Sequence, residues 1–135
     1  MNPMLKSTKN LYVPALLIIL ITSTINQSAM AQQDVKEEYS VPFQLGGGWE
    51  QFDNNCSQCH GKWAGGTDQG PPLLHSYYLP GHHGDESFYR AIKNGSRAHH
   101  WGFGDMPAIS GVSDESAREI IAFVRWLQRE SGLLK

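Results

Sequence analysis

The sequence predicts an all-α domain, a few helices joined by long loops. Three observations lead there. Residues 113–132, "SDESAREIIAFVRWLQRESG", carry Ala117, Ile120, Val124 and Leu127 three or four apart, with Ile121 and Phe123 widening the apolar face. No stretch shows strand-like alternation of useful length, and no internal repeat is visible. Two irregular stretches, 61–84 and 96–111, are rich in Gly, Pro, His and aromatic residues. Their apolar content suits packing around something more than it suits a spare linker.

The elements follow in chain order. Lys6 and Lys9 precede the apolar run "LYVPALLIILI", and a polar stretch then ends in Ala29-Met30-Ala31. Positive, apolar, then small-x-small is the order of a secretory signal, so residues 1–31 are read as a signal peptide cleaved after Ala31. The apolar run is shorter than the roughly 20 residues that span a bilayer. The expected location is the periplasm or another exported compartment, and membrane contact is expected only if the segment is retained. Residues 32–43 are polar, carry Pro42 and read as a flexible leader, leaving 44–135 as the domain.

Within the domain, a first helix is expected to begin after Gly46-Gly47-Gly48, with Trp49, Phe52 and Cys56 on one face. "DESFYRAIKNG" reads as a short helix capped by Asp85, with Phe88 and Ile92 on one face and Gly95 at its end. In the last helix Ser113 is a natural N-cap, Asp114 and Glu115 suit the positive helix start, and Gly132 can close it.

Without residues 1–31 the chain holds nine Lys and Arg against thirteen Asp and Glu, a formal charge of −4. That balance argues against nucleic acid as a partner. A chain this short buries a limited core and commonly leans on a disulfide, a metal or another added constraint.

The two cysteines stand in "CSQCH", Cys56 and Cys59 with His60 directly behind. A redox pair of this spacing belongs after a strand in a βαβ setting, which the sequence does not offer. A disulfide closing so small a loop constrains little. Zinc needs four ligands, and the six histidines make no His-x₃₋₅-His pair to complete the set. Cys-x-x-Cys-His is the attachment signature of c-type haem: two thiols add across the vinyl groups, and the adjacent imidazole reaches the iron. Export fits that chemistry. The expected cofactor is one covalently attached haem c per chain, with His60 as an axial ligand. Met106, in the glycine-flanked "FGDMPAI" and stiffened by Pro107, is the expected second axial ligand; methionine opposite histidine raises the reduction potential.

On these residues the sequence resembles the class I c-type cytochromes, small monohaem electron carriers, over most of 46–130. The resemblance implies a cytochrome c-like fold wrapped around one haem. Gly48 and Phe52 match the family's glycine and aromatic residue in the first helix. The last helix would cross at that glycine, with Ile120 and Phe123 supplying its apolar and aromatic positions. "GPPLL" at 70–74 matches a Gly-Pro-x-Leu segment. By that match the Pro71 carbonyl would accept from His60 Nδ1, Leu73 would pack on the haem, and Trp101 would stand near a propionate.

His75, His82, His83, His99 and His100 exceed what the family pattern requires. They read as surface groups or propionate partners, or else as a second metal site for copper or zinc, although adjacent histidines usually point apart. One of them could also displace Met106 from the iron. The function expected is single-electron transfer between redox protein partners, without catalysis of its own. The rival readings are a haem enzyme or small-ligand sensor in which Met106 is labile, and a haem subunit of a larger periplasmic oxidoreductase.

Overall fold

The computed structural model describes residues 39–135, which form one compact unit. The segment read as a signal peptide, and most of the leader, lie outside the described residues. Among the described residues the chain is helical, with β pairing limited to an isolated antiparallel bridge between Ser96 and Met106. Four α-helices follow in order: α1 (Gly46–Asn55), α2 (Ser57–His60), α3 (Asp85–Asn94) and α4 (Asp114–Glu130). Short 3₁₀ turns at Phe43–Leu45 and Ser76–Tyr78 punctuate the loops. None of the described helices is long and apolar enough to cross a membrane.

The core is the crossing of α1 on α4. A Cβ on Gly48 would collide with the Glu119 carbonyl oxygen and lie 3.2 Å from Phe123 Cβ, so only glycine permits this approach. One turn later Phe52 meets Phe123, ring centroids 5.4 Å apart, and both are fully buried. The helix contact expected at Gly48 is therefore present. The backbone of Glu119 and the side chain of Phe123 make it directly, while Ile120 turns toward a neighbouring cavity. α3 packs on the same helix.

Three local expectations change. α1 starts at Gly46 and includes the glycines rather than following them. The N-cap of α3 is Gly84, because Asp85 is drawn away to the guanidinium of Arg125, 2.7 Å distant. Residues 39–43 are not a loose leader: Tyr39 stands edge-on to Trp63 and Trp126, and Val41 packs against the core. At α4 the expected cap holds, with Ser113 Oγ accepting from the Ser116 amide at 3.0 Å.

Candidate functional site

Cys56 leaves helical geometry (φ −128°, ψ −30°) and starts a second short turn, α2. The amides of Cys59 and His60 both donate to the Cys56 carbonyl, at 3.2 and 2.9 Å, which puts both cysteines and the histidine on one coil of chain. The thiols are free; Cys56 is buried and Cys59 exposed. Burial first, and the neighbouring Cys59 second, push the Cys56 thiol up to about 11. It therefore stays protonated at neutral pH, unlike the low-pKa thiols that carry out disulfide exchange.

His60 is 8% exposed. Its Nδ1 lies 2.9 Å from the Pro71 carbonyl oxygen. A carbonyl only accepts, so Nδ1 carries the proton and Nε2 keeps its lone pair. Burial lowers the imidazole's proton affinity, against a smaller opposing effect of the Pro71 bond, which favours the neutral ring. Pro71 is held in place by tight packing: a Cβ on Gly70 would sit 2.9 Å from the Cys59 carbonyl oxygen, and Thr67 Oγ1 donates to that same carbonyl at 2.6 Å.

His60 opens onto a cavity of about 360 Å³, within the size range of small-molecule and cofactor sites. Phe52, Leu73, Ile92, Ile120 and Val124 give it an apolar wall, and Cys56, Pro71, Trp101 and Met106 also line it. Met106 is fixed through its backbone. Its amide donates to the Ser96 carbonyl at 2.8 Å, and its carbonyl accepts from the Ser96 amide at 2.9 Å. Gly95, at φ 77°, makes room: a Cβ there would meet the Met106 carbonyl oxygen at 2.6 Å. The indole N–H of Trp101 is buried without a partner in good hydrogen-bond geometry, though it lies near enough to the Tyr78 hydroxyl to offset part of the upward push of burial on that group.

These features fit haem. An apolar slot carries an imidazole lone pair and a thioether on its walls, a cysteine at its edge, and an orphaned donor suited to a carboxylate. Cys59 lies outside the cavity lining, one helical turn from Cys56. Among the remaining histidines, His83, His99 and His100 line the cavity, whereas His75 and His82 do not. His75 is committed elsewhere: its Nδ1 accepts from the Tyr77 amide, and its ring packs edge-on to Trp101 at 5.0 Å.

Arg125 and Gln128 are the residues sequence reasoning passed over. The Arg125 guanidinium, buried in the core, donates to Tyr78 O and His83 O at 2.6 Å each and to Gln128 Oε1 at 2.7 Å. Gln128 Nε2 in turn donates to Leu73 O at 3.0 Å. Together they tie the loop from Leu73 to Asp85 onto α4. The signal was available: Arg125 and Gln128 stand four residues after Ile121 and Val124, on the apolar stripe itself.

No curated protein and no solved structure matches the chain significantly. One family does match, described as cytochrome C oxidase, cbb3-type, subunit III, over residues 44–124. That span runs from just before α1 into α4 and contains "CSQCH", "GPPLL" and Met106. With a helical fold closed around this cavity, the chain belongs to the cbb3-type cytochrome c oxidase subunit III family, a family of c-type cytochromes consistent with the class I type.

Proposed function

We propose that this chain is an exported monohaem cytochrome that passes single electrons between protein partners. In this reading Cys56 and Cys59 would hold one haem by thioether bonds, and His60 and Met106 would be the residues that ligate its iron. The observation that carries it is the placement of His60 and Met106 on the walls of one apolar cavity, with Cys56 beside them. Bound there, haem supplies a one-electron ferrous/ferric couple.

The protein's own part is to hold and shield. Pro71 orients the His60 ring and makes it a better donor, and such outer bonds tune the metal they support. The Ser96–Met106 bridge sets the methionine by its backbone, so the thioether needs only side-chain freedom to reach its place. Leu73 and Phe52 keep the slot dry, which favours the less charged redox state. If His60 and Met106 both held the iron, no coordination position would be left open for substrate, which would support a carrier rather than an enzyme.

Oxidised and reduced absorption spectra of the exported protein test this directly. A c-type spectrum with the far-red sulfur-to-iron band is expected. A c-type spectrum lacking that band, with rapid carbon monoxide binding, would favour the labile-methionine sensor or enzyme instead. The family match supports a second, compatible reading, in which the domain is the haem-bearing subunit of a membrane oxidase. Isolation in a stable complex under mild detergent would support it, and a free small protein in the periplasmic fraction would count against it.

A further inference from the structure

Two loops bring four imidazoles together at one rim of the cavity. In the first, the amides of His82 and His83 both donate to the Leu79 carbonyl, at 2.9 and 2.8 Å. This curls the chain, so successive side chains diverge by about 100° as in a helix rather than 180° as in a strand. The two rings end up 4.6 Å apart instead of pointing to opposite sides. Buried Arg125 holds the His83 carbonyl from below. In the second loop, closed by the Ser96–Met106 bridge, Asp105 Oδ1 accepts from the Ala98 amide at 2.9 Å, and His99 and His100 stand out together.

The rings meet nitrogen to nitrogen. His82 Nε2 lies 3.1 Å from His100 Nε2, and His83 Nε2 lies 3.2 Å from His99 Nε2. One ring nitrogen from each of His82, His83 and His100 falls within 4.8 Å of the other two. The tautomers of one pair are fixed by the backbone. His83 Nδ1 bonds the Tyr77 carbonyl, and His99 Nδ1 lies 2.7 Å from the Arg97 carbonyl oxygen. Carbonyls only accept, so both Nδ1 atoms carry protons, and the facing Nε2 atoms both present lone pairs. Two neutral imidazoles cannot satisfy each other in that arrangement. Either an extra proton or a cation must stand between them.

A proton would place an imidazolium beside His82 and His100. A metal ion would use every lone pair, and ring N–H bonded to a backbone carbonyl is the usual support of a metal-binding histidine. Two imidazoles on one ion at about 2.0–2.1 Å stand roughly 3 to 3.4 Å apart, which brackets both observed separations. We propose that His82, His83 and His100 form a binding site for a late first-row transition metal ion, with His99 standing beside it against His83 Nε2. An all-imidazole set selects against hard oxygen-seeking cations and, by the Irving–Williams order, holds copper(II) more tightly than zinc(II). His83 and His100 line the cavity, yet none of the site's ligands is among the residues proposed to attach haem or ligate its iron.

The test uses the haem-loaded protein, incubated with copper(II) or zinc(II), desalted, and assayed for iron, copper and zinc together by mass spectrometry. One copper per chain is expected, with nitrogen hyperfine splitting in its electron paramagnetic resonance spectrum and with zinc displaced by copper. His82→Ala/His100→Ala and His83→Ala/His99→Ala are each expected to weaken copper binding at least tenfold while iron stays at one per chain. Iron retained with neither copper nor zinc overturns the site. So does undiminished copper binding in both double variants. Copper bound without iron would leave this site standing and remove the haem assignment instead.

Discussion

Met106 and His60 reach the same cavity by different supports, and the difference predicts what their loss would do. Met106 is held through its amide and carbonyl, so Met106→Ala keeps the Ser96 bridge and with it the loop. The expected outcome is an intact fold whose far-red band is gone and whose reduced form binds carbon monoxide. An unchanged spectrum would transfer the ligand role to His99 or His100, which line the same cavity. Arg125 is the opposite case, since its side chain is the support. Arg125→Ala leaves the His83 carbonyl and Gln128 Oε1 without their donor, while Tyr78 O keeps the bond from Gln128 Nε2, and each buried acceptor so stranded costs about 1–3 kcal/mol. A fall in the denaturation midpoint of that order is expected. Lysine should not restore it, because one ammonium cannot reproduce the planar fork that serves separate carbonyls.

Among the elements, the α1–α4 crossing and the α3–α4 junction make separate predictions. Gly48→Ala drives a methyl group into the Glu119 carbonyl, and overpacking of this kind costs about 1–3 kcal/mol. Gly46 lies two residues away in the same helix, with αR backbone and open space for 4 Å around the place a Cβ would take. Gly46→Ala should therefore stabilise by about 0.4–1 kcal/mol through the unfolded chain. Opposite signs from neighbouring glycines, read by thermal denaturation, would establish the crossing point; equal effects would refute it. At the other junction Lys93, near the end of α3, pairs with Asp114 at the start of α4, 3.0 Å apart. The hydrogen bond from Lys93, then that from Tyr89, holds the Asp114 carboxyl below its ordinary range. A depressed folded-state pKa means stability that is present above the unfolded value and lost as pH falls through the folded one. The melting-temperature gap between the natural protein and Asp114→Asn should thus close as pH drops below about 4.

For the whole molecule, the cavity itself decides stability. Its apolar wall is formed by the same Phe52, Ile120 and Val124 that build the α1–α4 core. A domain of this size has little core to spare. Cys56→Ala/Cys59→Ala, expressed with or without the attachment machinery, should lose haem on acid–acetone extraction. Once stripped of haem it should show a broad, weakly cooperative melt, where the natural protein melts sharply. A sharp melt in the stripped variant would show that the helices stand without their cofactor.

What the sequence determined by itself was local. The helical period and caps of α4 and the Cys-x-x-Cys-His turn follow from short-range spacing, and the all-α class followed from the helical pattern; the glycine at the crossing and the Pro71 partner of His60 followed from the resemblance to a known family. The tertiary structure decided whatever depends on residues far apart in the chain. It drew Asp85 out of its capping role, because a buried guanidinium outcompetes a helix amide for a carboxylate. It packed Tyr39 against Trp63 and Trp126 where composition suggested a loose leader. It also turned two histidine pairs from separate loops toward one point, which neighbouring positions in sequence argue against and which only the curl at Leu79 and the bridge at Met106 make possible.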